Sequence, residues 1–258
     1  MRYFLLLSLA FVAQAHGFDH THQSWDALLK KHVVLLEGAN ASQLRYAAMA
    51  QERAPLKQYL DTLSQVNEAD FNAWTKAEQM AFLINAYNAY TVEKILTRYP
   101  NINSIWDFGR FFGNAFKEEF FTLLGRKFSL DRIEHETLRP RYKEPRVHYA
   151  VNCASVGCPM LREEAYVAER LDRQLDEQAR RFLSDRSRNR VRDGKLHVSK
   201  IFDWFKEDFE PRGRYFAQYA KLLSDDPSEQ KLLAAAALPI SFLDYDWSLN
   251  DSRSSSPR

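Results

Sequence analysis

The run Met80-Ala-Phe-Leu-Ile-Asn-Ala-Tyr-Asn-Ala-Tyr-Thr-Val92 leaves this chain little freedom in how it folds, because it is apolar nearly all round. Thr75 is a good N-cap before it and Pro100 a stop after it, so the pattern predicts a helix over 76–98. A helix with no wet face belongs at the centre of a domain. Asn85, Asn88, Glu93 and Lys94 interrupt it, which argues against a membrane span of roughly 20 apolar residues. At about 100° per residue, Glu78, Asn85 and Asn88 fall on one polar stripe. A buried amide left unpaired costs about 1–3 kcal/mol, so such a stripe must find partners. Two readings stay open: Asn85 and Asn88 fix neighbouring loops, or they form the polar floor of a substrate pocket.

The rest of the pattern is mixed. Ser24 is placed to cap a helix with Trp25, Leu28 and Leu29 on one face, ended by Gly38. A second helix follows Pro55, with Leu56, Tyr59, Leu60 and Leu63 at helical spacing. Hairpins are expected around Gly125-Arg126 and around Asp193-Gly194. Between them, 130–138 reads as a helix with Asp131 and Glu134 at capping-box spacing, and Val147 to Val151 as a short strand. On the helical wheel Glu134 lies between Leu130 and Leu138, which makes it a buried carboxylate in need of a partner or a proton. Helices over 171–183, 202–209 and 214–223 and a strand within 238–247 complete the set. The aromatic-rich stretch 104–121 either lines a substrate site or packs beneath a long connection. These elements predict an α+β fold, a helix-rich single domain over 16–250 with a small, mostly antiparallel sheet, followed by a disordered Ser-rich tail over 251–258.

Residues 1–15 read as a signal peptide: Arg2 in a short positive region, an apolar run from Phe4 to Val12, and Ala13-Gln-Ala15 as a small-residue cleavage site. The expectation is a periplasmic or secreted protein with no membrane span after signal cleavage. Removing Arg2 leaves a formal charge of +1, which gives no support to nucleic-acid binding. With 45% hydrophobic and 14% aromatic residues, the chain can build a core without staples. His16, His20 and His22 cluster near the start, but no carboxylate or thiol spacing completes a zinc set, so neither a metal nor a cofactor is expected. Phosphate loops, G-x-S-x-G elbows and H-E-x-x-H motifs are absent.

Chemistry concentrates in Arg146-Val-His-Tyr-Ala-Val-Asn-Cys-Ala-Ser-Val-Gly-Cys-Pro159, which holds both cysteines of the chain. Together with Asn85-Ala-Tyr-Asn-Ala-Tyr-Thr91, Ile133-Glu-His135, Ile201-Phe-Asp-Trp-Phe205 and Tyr245-Asp-Trp-Ser-Leu-Asn250, it resembles the domain of unknown function 547 family, over roughly 24–250. That family occurs in exported bacterial proteins and in plant proteins. The resemblance implies a cysteine at the place of Cys153 and tolerance of serine at the place of Cys158, so a disulfide is not the common denominator. It also suggests a papain-like or transglutaminase-like thiol hydrolase by analogy.

A cysteine hydrolase needs a thiolate, a histidine, an orienting group and oxyanion donors. Cys153 is the candidate nucleophile, His148 the candidate base, and Glu134 the orienting carboxylate. Asn85, Asn88, Arg146 and Asn152 are the candidate substrate contacts. One geometric objection stands: in an extended strand His148 and Cys153 sit roughly 16 Å apart on opposite faces, against about 3 Å for proton transfer. The chain must bend, or His148 serves elsewhere and another histidine such as His135 approaches. The expected function is a thiol hydrolase or acyltransferase acting on amide bonds of a small peptide-like or protein substrate. The alternative is a non-catalytic binding or scaffold module stapled by a Cys153–Cys158 disulfide. The oligomeric state is open.

Overall fold

Lys76–Leu96 forms the central helix, with every residue from Gln79 to Val92 buried. In the computed structural model, which describes residues 17–109 and 114–254, the rest of the α+β fold is assembled around it. The 1–15 segment and residues 255–258 lie outside the described residues. Thr75 caps the central helix as expected: its hydroxyl accepts the amide of Glu78, whose carboxylate returns a bond to the Thr75 amide. Helices Gln23–His32 and Arg53–Gln65 pack against this side of the core through Trp25, Leu28, Leu29, Leu56, Tyr59, Leu60 and Leu63.

Among the described residues the small sheets are three, and separate. Val33–Leu35 pairs antiparallel with Ser42–Leu44, and Phe121–Leu123 pairs antiparallel with Arg126–Phe128. The third sheet orders Arg190–Arg192, Lys195–Val198 and Ile240–Phe242, the last pair parallel. Both hairpins named in the sequence turn through two residues with positive φ, Leu124-Gly125 and Asp193-Gly194, whose twist suits a two-residue hairpin. A second apolar cluster lies under the third sheet, built from Phe182, Phe202, Phe209 and Phe216 with Tyr149. Among the described residues no helix is long and apolar enough to cross a membrane.

Several local expectations are corrected. The first helix starts at Gln23, with its amide bonded to Asp19 and not capped by Ser24, and it ends at His32, well before Gly38. The β-branched pair Val33-Val34 takes an extended conformation because it finds a partner strand. The Asp131–Glu134 capping box does not form; Ser129 Oγ accepts the Arg132 amide instead. The helix that follows is a π-helix over Arg132–Leu138, continuing as α-helix over Arg139–Tyr142. The expected strand 147–151 is a 3₁₀ turn, Pro145–Tyr149. Pro145 has a φ suited to a helical start and no N–H to give a ladder, and Glu144 accepts the Arg146 amide. At the other end, Asp251, assigned to the tail, is buried and bridges to Leu44, and Ser252–Ser254 form a 3₁₀ turn.

The 145–151 turn is what positions the site. Val147 and Ala150 enter the first apolar cluster while Tyr149 enters the second. His148 is left between them.

Candidate functional site

Between the two clusters opens a cleft of about 430 Å³. Tyr87 reaches it from the central helix, Asp131, Glu134 and His135 from the π-helical segment, and His148, Val151, Cys153 and Cys158 from the turn region. Ile201, Trp204 and Phe205 close one side, with the i, i+3, i+4 spacing of one helical face, while Phe202 points into the second cluster. Trp106, Phe116, Tyr245 and Trp247 close the other. The bend required by the sequence is present: the 3₁₀ turn contracts the chain before Ala150, and Ala154 adopts the left-handed region at φ 63°. His148 and Cys153 therefore line one cleft in spite of their odd spacing.

The imidazole wall is ionic. Nε2 of His148 lies 2.7 Å from Oδ2 of Asp208, and Nδ1 lies 3.5 Å from Oε1 of Glu134, an ion-pair separation at the outer limit of a hydrogen bond. The same Asp208 oxygen accepts Arg139 Nε at 2.5 Å. Phe205 stacks on the imidazole at 4.1 Å. Burial alone depresses the basicity of His148, but the two carboxylates outweigh it and raise its pKa above the ordinary value. Burial would likewise raise Glu134, and His148 outweighs that by favouring the carboxylate, whose pKa is lowered. Glu134 is buried as expected, and of the two alternatives, a partner or a proton, it has the partner.

The thiol wall is nearly neutral. Cys153 Sγ lies 3.0 Å from Ser155 Oγ and 3.3 Å from Tyr245 Oη, and Cys153 N–H donates to Cys158 Sγ at 2.9 Å. Both cysteines are buried and unbonded to each other. Burial pushes the Cys153 thiol up, yet hydrogen bonds from Cys158, Ser155 and Tyr245 bring it below its ordinary value. Cys158 is pushed well up, by burial and by its neighbour Cys153. Of the two, Cys153 is the more acidic sulfur.

Tyr245 reaches the sulfur because the 245–249 segment docks on the cysteine turn through Val156 N–H to Ser248 O and Gly157 N–H to Asp246 O, both 2.8 Å. A Cβ on Gly157 would lie 3.0 Å from the Asp246 backbone and from the Tyr245 ring, so any side chain there would crowd the docked segment. Behind the turn, Arg188 donates to the Val156 carbonyl and to Asp185.

The proposed substrate contacts lie elsewhere. Asn85 exchanges two hydrogen bonds with the Tyr166 backbone, at 2.8 and 3.0 Å. Asn88 donates to Ala150 O at 2.9 Å and accepts Asn152 N–H at 2.8 Å. Asn152 donates to Pro159 O and accepts Ala154 N–H, which ties the turn to itself. Arg146 is spent on Glu144, Asp172 and Asp176. None of the four lines the cleft. The polar stripe of the central helix fixes loops, and the residue of that helix that does reach the cleft is Tyr87.

Sequence reasoning missed Asp208, Ser155, Tyr87 and the role of Tyr245. All four carried a signal: Tyr87, Ser155 and Tyr245 lie inside quoted motifs, and Asp208 lies three residues beyond another. The stretch 104–121 proves divided. Trp106 and Phe116 line the cleft, Phe108 and Phe120 pack on Lys94, and Phe111 and Phe112 lie outside the described residues. Of the considered histidine cluster, His22 bonds to Tyr59 at 2.7 Å and His20 packs on Trp74, with His16 outside the described residues. Among the described residues no group of three or more His, Cys, Asp or Glu side chains is arranged to hold a metal ion.

No curated protein and no solved structure matches the chain. The family model described as "Protein of unknown function, DUF547" matches residues 71–183, a span that contains the central helix, the π-helical segment and the cysteine turn. Tyr87, Glu134, His148 and Cys153 and three of the five quoted motifs fall within it, so residues 71–183 are similar to the DUF547 family.

Proposed function

We propose that this protein is an exported thiol hydrolase or acyltransferase acting on amide bonds of a peptide-like substrate, with Cys153 as the nucleophile. The observation that carries the reading is one cleft lined by a thiol whose hydrogen bonds lower its pKa and by a histidine whose pKa is raised by the two carboxylates that clamp it. In this reading the Cys153 thiolate adds to the amide carbonyl carbon and a C–S bond forms. The Tyr245 hydroxyl, beside the sulfur, donates to the developing oxyanion. The His148 imidazolium gives its proton to the leaving amine as the C–N bond breaks, and Glu134 and Asp208 hold the ring in place. Water or a second amine then attacks the thioester, returns a proton to His148 and releases the thiolate. Export rests on the pattern of residues 1–15 and is checked by N-terminal sequencing of the protein from fractionated cells.

Profiling with an electrophilic thiol probe at neutral pH tests the assignment. Wild type should label at Cys153, Cys153→Ser should not, and His148→Ala should turn over no amide substrate. Unchanged labelling of Cys153→Ser would remove the nucleophile.

A second reading, a non-catalytic module closed by a Cys153–Cys158 disulfide, is favoured by the 2.9 Å approach of Cys158 Sγ to the Cys153 amide. Counting thiols on unreduced, denatured protein separates the two: two blocked cysteines support the staple, and a free Cys153 supports the nucleophile.

A further inference from the structure

One carboxylate of the cleft is not used by either wall. Asp131 lines the cavity, half-buried, with no basic partner among the described residues. The other ionic groups there are accounted for. Glu134 and Asp208 flank His148, and Arg139 closes the set on Asp208. Arg139 Nη1 also lies 2.9 Å from His135 Nδ1, and a guanidinium can only donate, so that nitrogen accepts. The neighbouring Arg132 is turned to Glu119 and Glu136. Asp131 is therefore a surplus negative charge in a cleft with low-dielectric walls, where such a charge is felt strongly.

Those walls are aromatic. Asp131 N–H donates to Phe116 O at 2.9 Å, which sets Asp131 next to the Phe116 turn of the rim. Phe116 packs edge-on to Trp106 at 5.4 Å, Trp106 edge-on to Trp247 at 5.2 Å, and Trp247 stacks on Trp204 at 5.5 Å. Trp204 is 44% exposed, so the series of rings opens to solvent and is not a closed core. Aromatic faces combined with one unpaired carboxylate form the chemistry that holds an ammonium group, through ring quadrupoles and a single counter-charge. A carboxylate ligand would meet Asp131 as a like charge.

We infer that the cleft recognises an ammonium-bearing ligand, a peptide-like amide with a free amino group on an apolar stem, seated against Trp106, Phe116 and Trp247 with its nitrogen at Asp131. The inference rests on the thiol reading for the reaction that follows, and not for the binding itself. Substrates with a free amine near the scissile amide are held, and their acylated or carboxylated counterparts are refused.

Three of the chain's five tryptophans line the cleft, so their emission reports occupancy. Titration with n-hexylammonium should quench it saturably, at least about tenfold tighter than n-hexanol or hexanoate. Asp131→Asn should lose most of that preference while responding to n-hexanol as wild type does. Equal response to all three probes, or an ammonium preference that survives in Asp131→Asn, overturns the inference. Modification of wild-type Cys153 by the uncharged reagent methyl methanethiosulfonate is measured in parallel; there the thiolate attacks the sulfenyl sulfur, a mixed disulfide forms and methanesulfinate leaves. Failure of that labelling with ammonium binding intact defeats the thiol reading alone. Labelling without ammonium preference defeats the recognition of the amine alone.

Discussion

The two walls of the cleft hold their reactive side chains by different means. On one, His148 is locked by charge: two carboxylates and a guanidinium converge on a buried ring, and every member needs the others. On the other, Cys153 is held by hydroxyls, a second thiol and a docked backbone segment, with no charged side chain among the described residues in hydrogen-bonding contact with the sulfur. Buried ions are costly to separate, whereas single neutral hydrogen bonds are worth little each. The imidazole wall is thus a structural keystone whose loss unfolds the site. The thiol wall is adjustable, and its loss changes reactivity first.

The largest effect should come from breaking the ionic wall. His148→Ala leaves Glu134 buried without its cation, and a loss of about 3–5 kcal/mol in urea unfolding is expected. A variant within about 1 kcal/mol of wild type would mean that the wall is not held by charge. The pH profile carries the same information. His148, raised above its ordinary 6.5, contributes fully below pH 6.5 and loses that contribution as pH climbs through its folded value. Glu134, lowered from 4.5, contributes above pH 4.5 and loses it as pH falls through its folded value. Stability from this pair should peak between pH 4.5 and 6.5, and the decline on the alkaline side should flatten in His148→Ala.

Asn88→Ala probes the neutral wall from behind. It strands the Asn152 N–H and the Ala150 C=O, both buried, at about 1–3 kcal/mol for each group left without a partner. Slower alkylation of Cys153 should accompany the loss, because Asn152 braces the turn that presents the sulfur. Undiminished alkylation would show the turn to be self-supporting. The smallest effect belongs to Tyr245→Phe. Deleting one hydroxyl near the sulfur should slow alkylation at neutral pH by about a factor of 2–10, the worth of one hydrogen bond, and move its pH midpoint upward with stability little changed.

How much of this was legible beforehand differs between the walls. Glu134 was readable because the helical wheel put a carboxylate among leucines, and the local π-winding did not undo its burial. Cys153 was readable from residue chemistry. The partner of His148 was not, because Asp208 lies 60 residues further on and enters through a separate short helical turn. The strand expected over 147–151 failed because Pro145 and a side-chain cap from Glu144 start a 3₁₀ turn that valine-rich sequence conceals. Asn85 and Asn88 of the stripe on the central helix are polar and buried as expected, while Glu78 is only half-buried at the cap, and spacing on a wheel does not say whether a loop or a ligand supplies the partner. Loops supplied it.

The sequence by itself determined the central helix, the two tight hairpins, the buried carboxylate and the resemblance of residues 71–183 to a family, since each follows from local periodicity, turn chemistry or a motif. Only the tertiary structure decided that His148 and Cys153 share a cleft, that Asn85, Asn88, Arg146 and Asn152 serve the framework, and that Tyr245 and Asp208 complete the two walls. The physical reason is range. Periodicity is set by neighbours within a few residues, but which polar group satisfies a buried one depends on how distant segments pack, and that choice is made only when the two cores close on each other.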